Sequence, residues 1–305
     1  QGVLNAAKEQ SFLWSSAPWV PLPARPFKNL IPLPHIITTN IEHPSVLETF
    51  KLLQKRGLAE ISIVPVEING IVDPKKIQKE IKNNTVLVSV MYANNEIGTI
   101  QPIKEIAKVV RRYKKENKRD NIFFHTDAVQ AVNYLDISVE QLGVDMLSLS
   151  GSKIEGSGRV GILYKKKYVD LASVYGGGDQ EMGLRPGTEN LPEILKFAKA
   201  LQSAQKIKDK EMKRLTILKD YFFMKLGNLK IQNSKFSRVL GRGSARPLKN
   251  FNFEFLINGD LKNRLPNNIN ITFPKIPSDL LVIELSARGV MTSSKSACKS
   301  SRAEG

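Results

Sequence analysis

The chain has 305 residues, 41% of them hydrophobic and 25% charged, an ordinary composition for a globular protein long enough to bury a large core. Lys and Arg number 46 against 29 Asp and Glu, a formal charge of +17 that would suit nucleic acid or an acidic partner. The cations are spread along polar helical stretches such as Lys104–Lys118 rather than set between aromatics, which reads as a solvated, lysine-rich surface. A single cysteine excludes an internal disulfide framework and a multi-thiolate metal centre, and three scattered histidines argue against zinc. No apolar run approaches the roughly 18 to 20 residues of a membrane span. The N-terminus lacks a basic stretch followed by an apolar core, so no signal peptide and a cytoplasmic location are expected.

In chain order, Gln1–Gln10 reads as the end of a helix. Ser11–Pro34 carries Trp14, Trp19 and Pro18, Pro21, Pro23, Pro26, Pro32 and Pro34, a proline density that excludes helix and central strand and predicts an irregular insertion. From His35 the pattern alternates. His35–Thr39 is a short apolar strand, and Pro44–Arg56 a helix with Val46, Leu47, Phe50 and Leu53 on one face. Glu60–Val66 is a strand, and Asp73-Pro74 opens a helix with a cap and a proline at its first position. Thr85–Met91, Ile122–His125, Met146–Leu149 and Val160–Tyr164 read as buried strands, with a helix over Ile103–Tyr113. A long Lys- and Leu-rich helix runs from about Ile194 to Leu226, and Asn267–Phe273 and Leu280–Leu285 belong to a smaller α+β part. The fold class is therefore α/β, a mainly parallel sheet covered by helices plus a small α+β domain. The expected division is 1–34, 35–200 and 201–305.

Ligands of such sheets sit beyond the carboxyl ends of the strands. Four polar clusters follow predicted strands: His43; Asn94-Asn95-Glu96-Ile97-Gly98; Asp127 with Gln130; and Ser150-Gly151-Ser152-Lys153. Singly, each has a plain reading as a helix cap, a turn or a surface loop. Together they supply what pyridoxal 5'-phosphate (PLP) requires: a lysine for its Schiff base, an acid for its ring nitrogen, and groups that hold its ring and phosphate.

The run from His43 to Thr188 resembles the large domain of fold-type I PLP enzymes of the IscS/NifS cysteine desulfurase group. The matching segments are Glu42-His43, Asn94 to Gly98, His125-Thr126-Asp127-Ala128-Val129-Gln130, Ser150 to Lys153, Gly176-Gly177-Gly178-Asp179-Gln180-Glu181 and Arg185-Pro186-Gly187-Thr188. The resemblance implies Lys153 as the cofactor lysine, His43 stacked on the ring, Asp127 on the ring nitrogen and Gln130 on the ring hydroxyl. It implies Ser150 at the phosphate, with Ser152 where most relatives have a histidine. It also implies Asn95 at the substrate carboxylate, and Thr188 reaching the phosphate of a partner subunit in a homodimer. Ser293-Ser294-Lys295-Ser296-Ala297-Cys298 resembles the loop that carries the group's nucleophilic cysteine. The implied reaction converts L-cysteine to L-alanine and leaves sulfur as a persulfide on Cys298, for an Fe–S scaffold or a tRNA-thiolation acceptor. Against the family pattern the chain is expected to be truncated at both ends, without the Gly-Ala-Thr-Glu-like phosphate loop or the substrate-carboxylate arginine. Other fold-type I lyases, acting on selenocysteine or on C–S bonds, and a non-catalytic remnant are the alternative readings.

Overall fold

The computed structural model describes residues 12–13, 32–173, 175–239, 255–274 and 276–294. The expected helix over Gln1–Gln10 and the Cys298 loop lie outside them. Nine strands are described: β1 (Phe12–Leu13), β2 (His35–Thr39), β3 (Glu60–Val64), β4 (Thr85–Ser89), β5 (Phe123–Asp127), β6 (Met146–Ser150), β7 (Gly161–Lys165), β8 (Leu256–Ile257) and β9 (Ile271–Thr272). The first seven form one sheet in the order β1-β7-β6-β5-β4-β2-β3, and β8-β9 is a separate antiparallel pair. The β2–β3, β2–β4, β4–β5 and β5–β6 pairings are parallel, whereas β7 runs antiparallel to β6 and to the two-residue edge strand β1. The predicted mainly parallel α/β sheet is thus observed. Of the Pro-rich stretch, Phe12–Leu13 forms the edge strand β1, and residues 14–31 lie outside the described residues.

The helices are α1 (Pro44–Lys55), α2 (Pro74–Glu80), α3 (Ile103–Glu116), α4 (Val139–Leu142), α5 (Leu191–Val239) and α6 (Ser278–Ala287). Asp73 caps α2 by accepting from Lys75 N at 2.9 Å, with Pro74 in the first turn where its missing N–H costs nothing. Helix α3 buries Ile103, Ile106, Ala107 and Val110, the i, i+3, i+4, i+7 stripe of an amphipathic helix. That stripe belongs to the same core as Val88, Phe124, Leu147 and Leu142. The sequence ended this helix at Tyr113; the polar Lys114-Lys115-Glu116 contains no breaker, and the helix runs on. Likewise α5 extends to Val239, well beyond Leu226.

A second layer of order is polar. His35, buried on β2, meets Thr85 Oγ1 of β4 through Nδ1 at 2.8 Å and Ser62 Oγ of β3 through Nε2 at 2.9 Å. His125 on β5 meets Ser89 Oγ of β4 at 2.9 Å and Ser148 Oγ of β6 at 2.8 Å. A neutral imidazole has one donor and one acceptor nitrogen, and a hydroxyl can serve either, so each ring ties three strands without a buried charge. Burial holds both rings below the ordinary histidine range, His125 down to about 4. Phe124, between them in the chain and on the opposite face of β5, is among the largest fully buried side chains. Phe124→Ala should cost about 3–5 kcal/mol, read as a fall in the urea midpoint at unchanged slope.

Candidate active site

The loops that follow β2, β4, β5 and β6 are joined into one edge by a chain of hydrogen bonds. Beyond β2, Glu42 is 4% exposed, and its Oε1 accepts from Thr39 Oγ1 at 2.6 Å and from Met91 N, past the end of β4, at 2.9 Å. Its Oε2 is buried without a hydrogen-bond partner. Loss of solvation pushes this carboxyl up to about 8, against the two hydrogen bonds and with a smaller contribution from Asp127. Glu42 is therefore mostly protonated at neutral pH.

Next to it, His43 caps α1, its Nδ1 accepting from Ser45 N at 3.2 Å. The plain capping reading of this histidine is thus observed. The ring also lies close enough to Asp127 to favour that residue's charged form.

Asn94 organises the loop after β4. Its Oδ1 accepts from Glu96 N and Ile97 N, both at 2.8 Å, and its Nδ2 donates to Ile41 O at 2.8 Å, which binds this loop to the one after β2. Gly98 closes the turn at φ +70°, and a side chain there would collide with Asn268. The late segment holding Asn268 backs this loop. Asn268 Nδ2 and Asn270 Nδ2 each donate to Glu96 O at 3.0 Å, Leu265 N donates to Gly98 O, and Ile100 N donates to Asn263 O. Asn95, half-buried, keeps its amide free of protein hydrogen bonds among the described residues.

Tyr92 N donates to Asp127 O at 2.8 Å, which carries the network to β5. Asp127 ends that strand. Its Oδ1 accepts from Val129 N at 2.9 Å, while no described residue hydrogen-bonds Oδ2. Burial raises its pKa, opposed by that hydrogen bond and by His43. Gln130, half-buried one turn on, also has an uncommitted amide among the described residues.

Ala128 N donates to Ser148 O, and two residues further β6 ends at Ser150. There the backbone turns through a single 3₁₀ turn, Gly151–Lys153. Only glycine fits at 151, because a Cβ would press on Ser157 Oγ and Gly158 O. Ser150 Oγ and Ser152 Oγ are 2.9 Å apart. Lys153 is exposed, its carbonyl held by Asn133 Nδ2 at 2.6 Å and its Nζ without a partner among the described residues. Thr188 lies in an exposed stretch, and no hydrogen bond joins it to this cluster. Cys298 is outside the described residues.

The donor set matches PLP group by group. A free primary amine meets the requirement of an aldehyde, and a half-buried carboxylate with one open oxygen that of a ring nitrogen. A free carboxamide suits a ring hydroxyl, and paired serine hydroxyls suit a phosphate. Sequence reading did not single out Glu42 and Asn94 as separate contributors. The signal for both was an acid or amide directly after an apolar strand, and it is clear only once the strand ends are seen to be linked.

A mainly parallel sheet with an antiparallel strand after the lysine-bearing turn, and these groups at its carboxyl edge, defines the fold-type I class of PLP proteins. The signature of the family described as Aminotransferase class-V matches residues 24–272, and the chain belongs to that family. It is similar to a cysteine desulfurase IscS of Dictyoglomus turgidum, 40% identical over 270 residues that make up 88% of this chain and 61% of the relative. It is also similar to cysteine desulfurase IscS 1 of Archaeoglobus fulgidus, 38% identical over 266 residues, 87% of this chain and 61% of the relative. Among solved structures, a NifS-like protein aligns with a TM-score of 0.69 and 35% identity, over 86% of this chain and 64% of that one. A structure of SspA in complex with cysteine aligns with a TM-score of 0.63 and 29% identity, over 88% and 66%. The chain thus spans about three fifths of the length of the curated relatives it matches. No helix among the described residues is long and apolar enough to cross a membrane.

Proposed function

We propose that this chain is the cofactor-binding part of a cytoplasmic cysteine desulfurase that turns L-cysteine into L-alanine and passes the sulfur on through Cys298. The carrying observation is the half-buried Asp127 carboxylate, close to His43, in a hydrogen-bonded row of strand ends that leads to Lys153, with Asp127 Oδ2 and Lys153 Nζ both open among the described residues. The relatives named cysteine desulfurase, and the solved relative whose title includes bound cysteine, support the choice of substrate. Residues 35–200 form the large domain in this reading, and 201–305 the linking helix and small domain.

PLP, when bound, supplies an electron sink for negative charge at the substrate Cα. The protein's groups do the rest. Lys153 would hold the cofactor through its Nζ and would carry the proton at the substrate Cα. Asp127 Oδ2 accepts a hydrogen bond from the protonated ring nitrogen, and that cation would draw the carboxyl, raised by burial, back to its charged form. Gln130 would donate to the ring hydroxyl oxygen, and His43 would stack on the ring. Ser150 and Ser152 donate to the phosphate; Ser152 offers one hydroxyl donor at the histidine position of most relatives. Asn95 orients the substrate carboxylate, and Thr188 serves the phosphate of a second copy, so the working unit is a homodimer. The Cys298 thiolate attacks the substrate sulfur, the Cβ–S bond breaks, Cβ gains a proton, and alanine leaves with the persulfide held on Cys298. An Fe–S scaffold or a tRNA-thiolation enzyme would receive that sulfur.

The test is the purified chain supplied with PLP and L-cysteine, followed by mass spectrometry of the protein. A gain of one sulfur, absent in Cys298→Ser although PLP still binds, is the expected result. Equal sulfur gain in the Cys298→Ser protein would remove Cys298 from the mechanism.

A further inference from the structure

Helix α3 has a second face. Beside its buried stripe it carries Lys104, Lys108, Arg111 and Lys115, all exposed. At 100° per residue these positions fall within an arc of about 60°, along about 16 Å of helix. Of the helix's acids, Glu105 lies about 60° around from Lys108 by the same spacing, and Glu116 pairs with Arg112 at 3.5 Å. None of the four cations makes an ion pair among the described residues, and Arg111 Nε is turned back onto Ala107 O of its own helix.

Other helices of this chain pair some of their exposed cations, while Lys75 and Lys79 of α2 likewise lack an ion pair among the described residues. Lys51 pairs with Glu48, Lys196 with Glu193, Arg214 with Glu211 and Arg288 with Glu284, each one helical turn away. Like charges at i, i+3 and i, i+4 cost helix stability, roughly 0.2–0.5 kcal/mol per pair. The α3 stripe carries that cost with one acid of its own helix, Glu105, a turn away from Lys108 and not paired with it.

We propose that this face binds the phosphate backbone of a nucleic acid without reading its sequence. Its composition favours phosphates over an acidic protein. The arc contains no aliphatic or aromatic side chain, and the helix's Val109 and Tyr113 are packed against the core. Protein partners are anchored by buried apolar and aromatic groups, whereas phosphate contacts need only cations and displace counterions. The formal charge of +17 adds long-range attraction for any polyanion. The proposal is independent of the PLP site.

Fluorescence anisotropy tests it, using labelled single-stranded RNA and DNA of one sequence, roughly 20 nucleotides long, between about 50 and 200 mM salt. Four phosphate contacts predict a log–log salt slope near −3. The pair Lys108→Gln with Lys115→Gln should make the slope shallower by roughly 1.4 and weaken binding several-fold at low salt. The pair Lys75→Gln with Lys79→Gln, equally exposed on α2 and equal in charge removed, should leave the slope unchanged. Circular dichroism of each variant checks that its helices are intact. Binding of either polymer that depends on the stripe supports the proposal, and the tighter-bound one identifies the source. Equal weakening by both variant pairs overturns it in favour of net charge alone. Displacement of RNA by a glutamate oligomer at equal charge concentration overturns it in favour of an acidic protein.

Discussion

Lys153→Ala should abolish stable PLP retention. The wild-type chain, loaded with PLP and desalted, is expected to keep the cofactor's visible absorbance, and borohydride should fix the cofactor irreversibly to the chain. The alanine variant should lose both, with affinity lower by roughly 10²-fold or more, some 3 kcal/mol. The noncovalent partners, Asp127 Oδ2, the Gln130 amide and the serine pair, remain in place, so weak binding should persist at high PLP. Lys167→Ala, an exposed lysine on the far side of β7, is the control and should bind as wild type. The local frame makes this substitution interpretable. The 3₁₀ turn rests on Gly151 and on the Asn133 hydrogen bond to the Lys153 carbonyl, neither of which uses the lysine side chain. If the variant keeps the absorbance, another amine carries the cofactor and Lys153 is an ordinary surface lysine.

Residues that answer to periodicity were legible in the sequence. Ile103, Ile106, Val109, Val110 and Tyr113 at helical spacing announced a helix, and the β-branched runs of β2 and β4 announced buried strands. Asp73-Pro74 marked a helix start because cap and proline act within one turn of chain. Positions decided by partners distant in sequence were not legible. The strand that was read as ending at His125 runs on through Asp127, because Tyr92 N, some thirty-five residues earlier, reaches the Asp127 carbonyl. The antiparallel direction of β7 left no trace in its composition. His125 looked like one of three scattered histidines, and its role between Ser89 and Ser148 exists only once β4, β5 and β6 lie side by side. The same limit applied to the site. Strand-end polarity pointed to Asp127 and Lys153, but the connection from Glu42 to Met91 and from Asn94 to Ile41 depends on tertiary contact.

Glu42 carries the second large expectation, a stability that falls as pH rises. In the unfolded chain this carboxyl titrates near its ordinary 4.5, and in the folded protein near 8. Between those values the folded state binds the extra proton. Stability therefore declines from about pH 4.5 upward and levels off above about 8, at roughly 1.4 kcal/mol per pH unit across that window, several kcal/mol in all. The buried histidines act in the opposite sense. Their folded values are depressed, so stability is lost as pH falls below the ordinary 6.5, down to about 4 for His125. Glu42→Gln separates the two effects. The carboxamide oxygen keeps the acceptor that serves Thr39 Oγ1 and Met91 N, and the group no longer ionises. Urea midpoints measured from pH 5 to 9 should be similar for the two proteins at the acid end, with the variant more stable by several kcal/mol at the alkaline end. Parallel curves for the two proteins across that range would mean that Glu42 is already ionised when folded. The buried Oε2 would then need a cationic or donor partner, and PLP binding would be expected to tighten in the variant only if that partner were one of the groups at the cofactor edge.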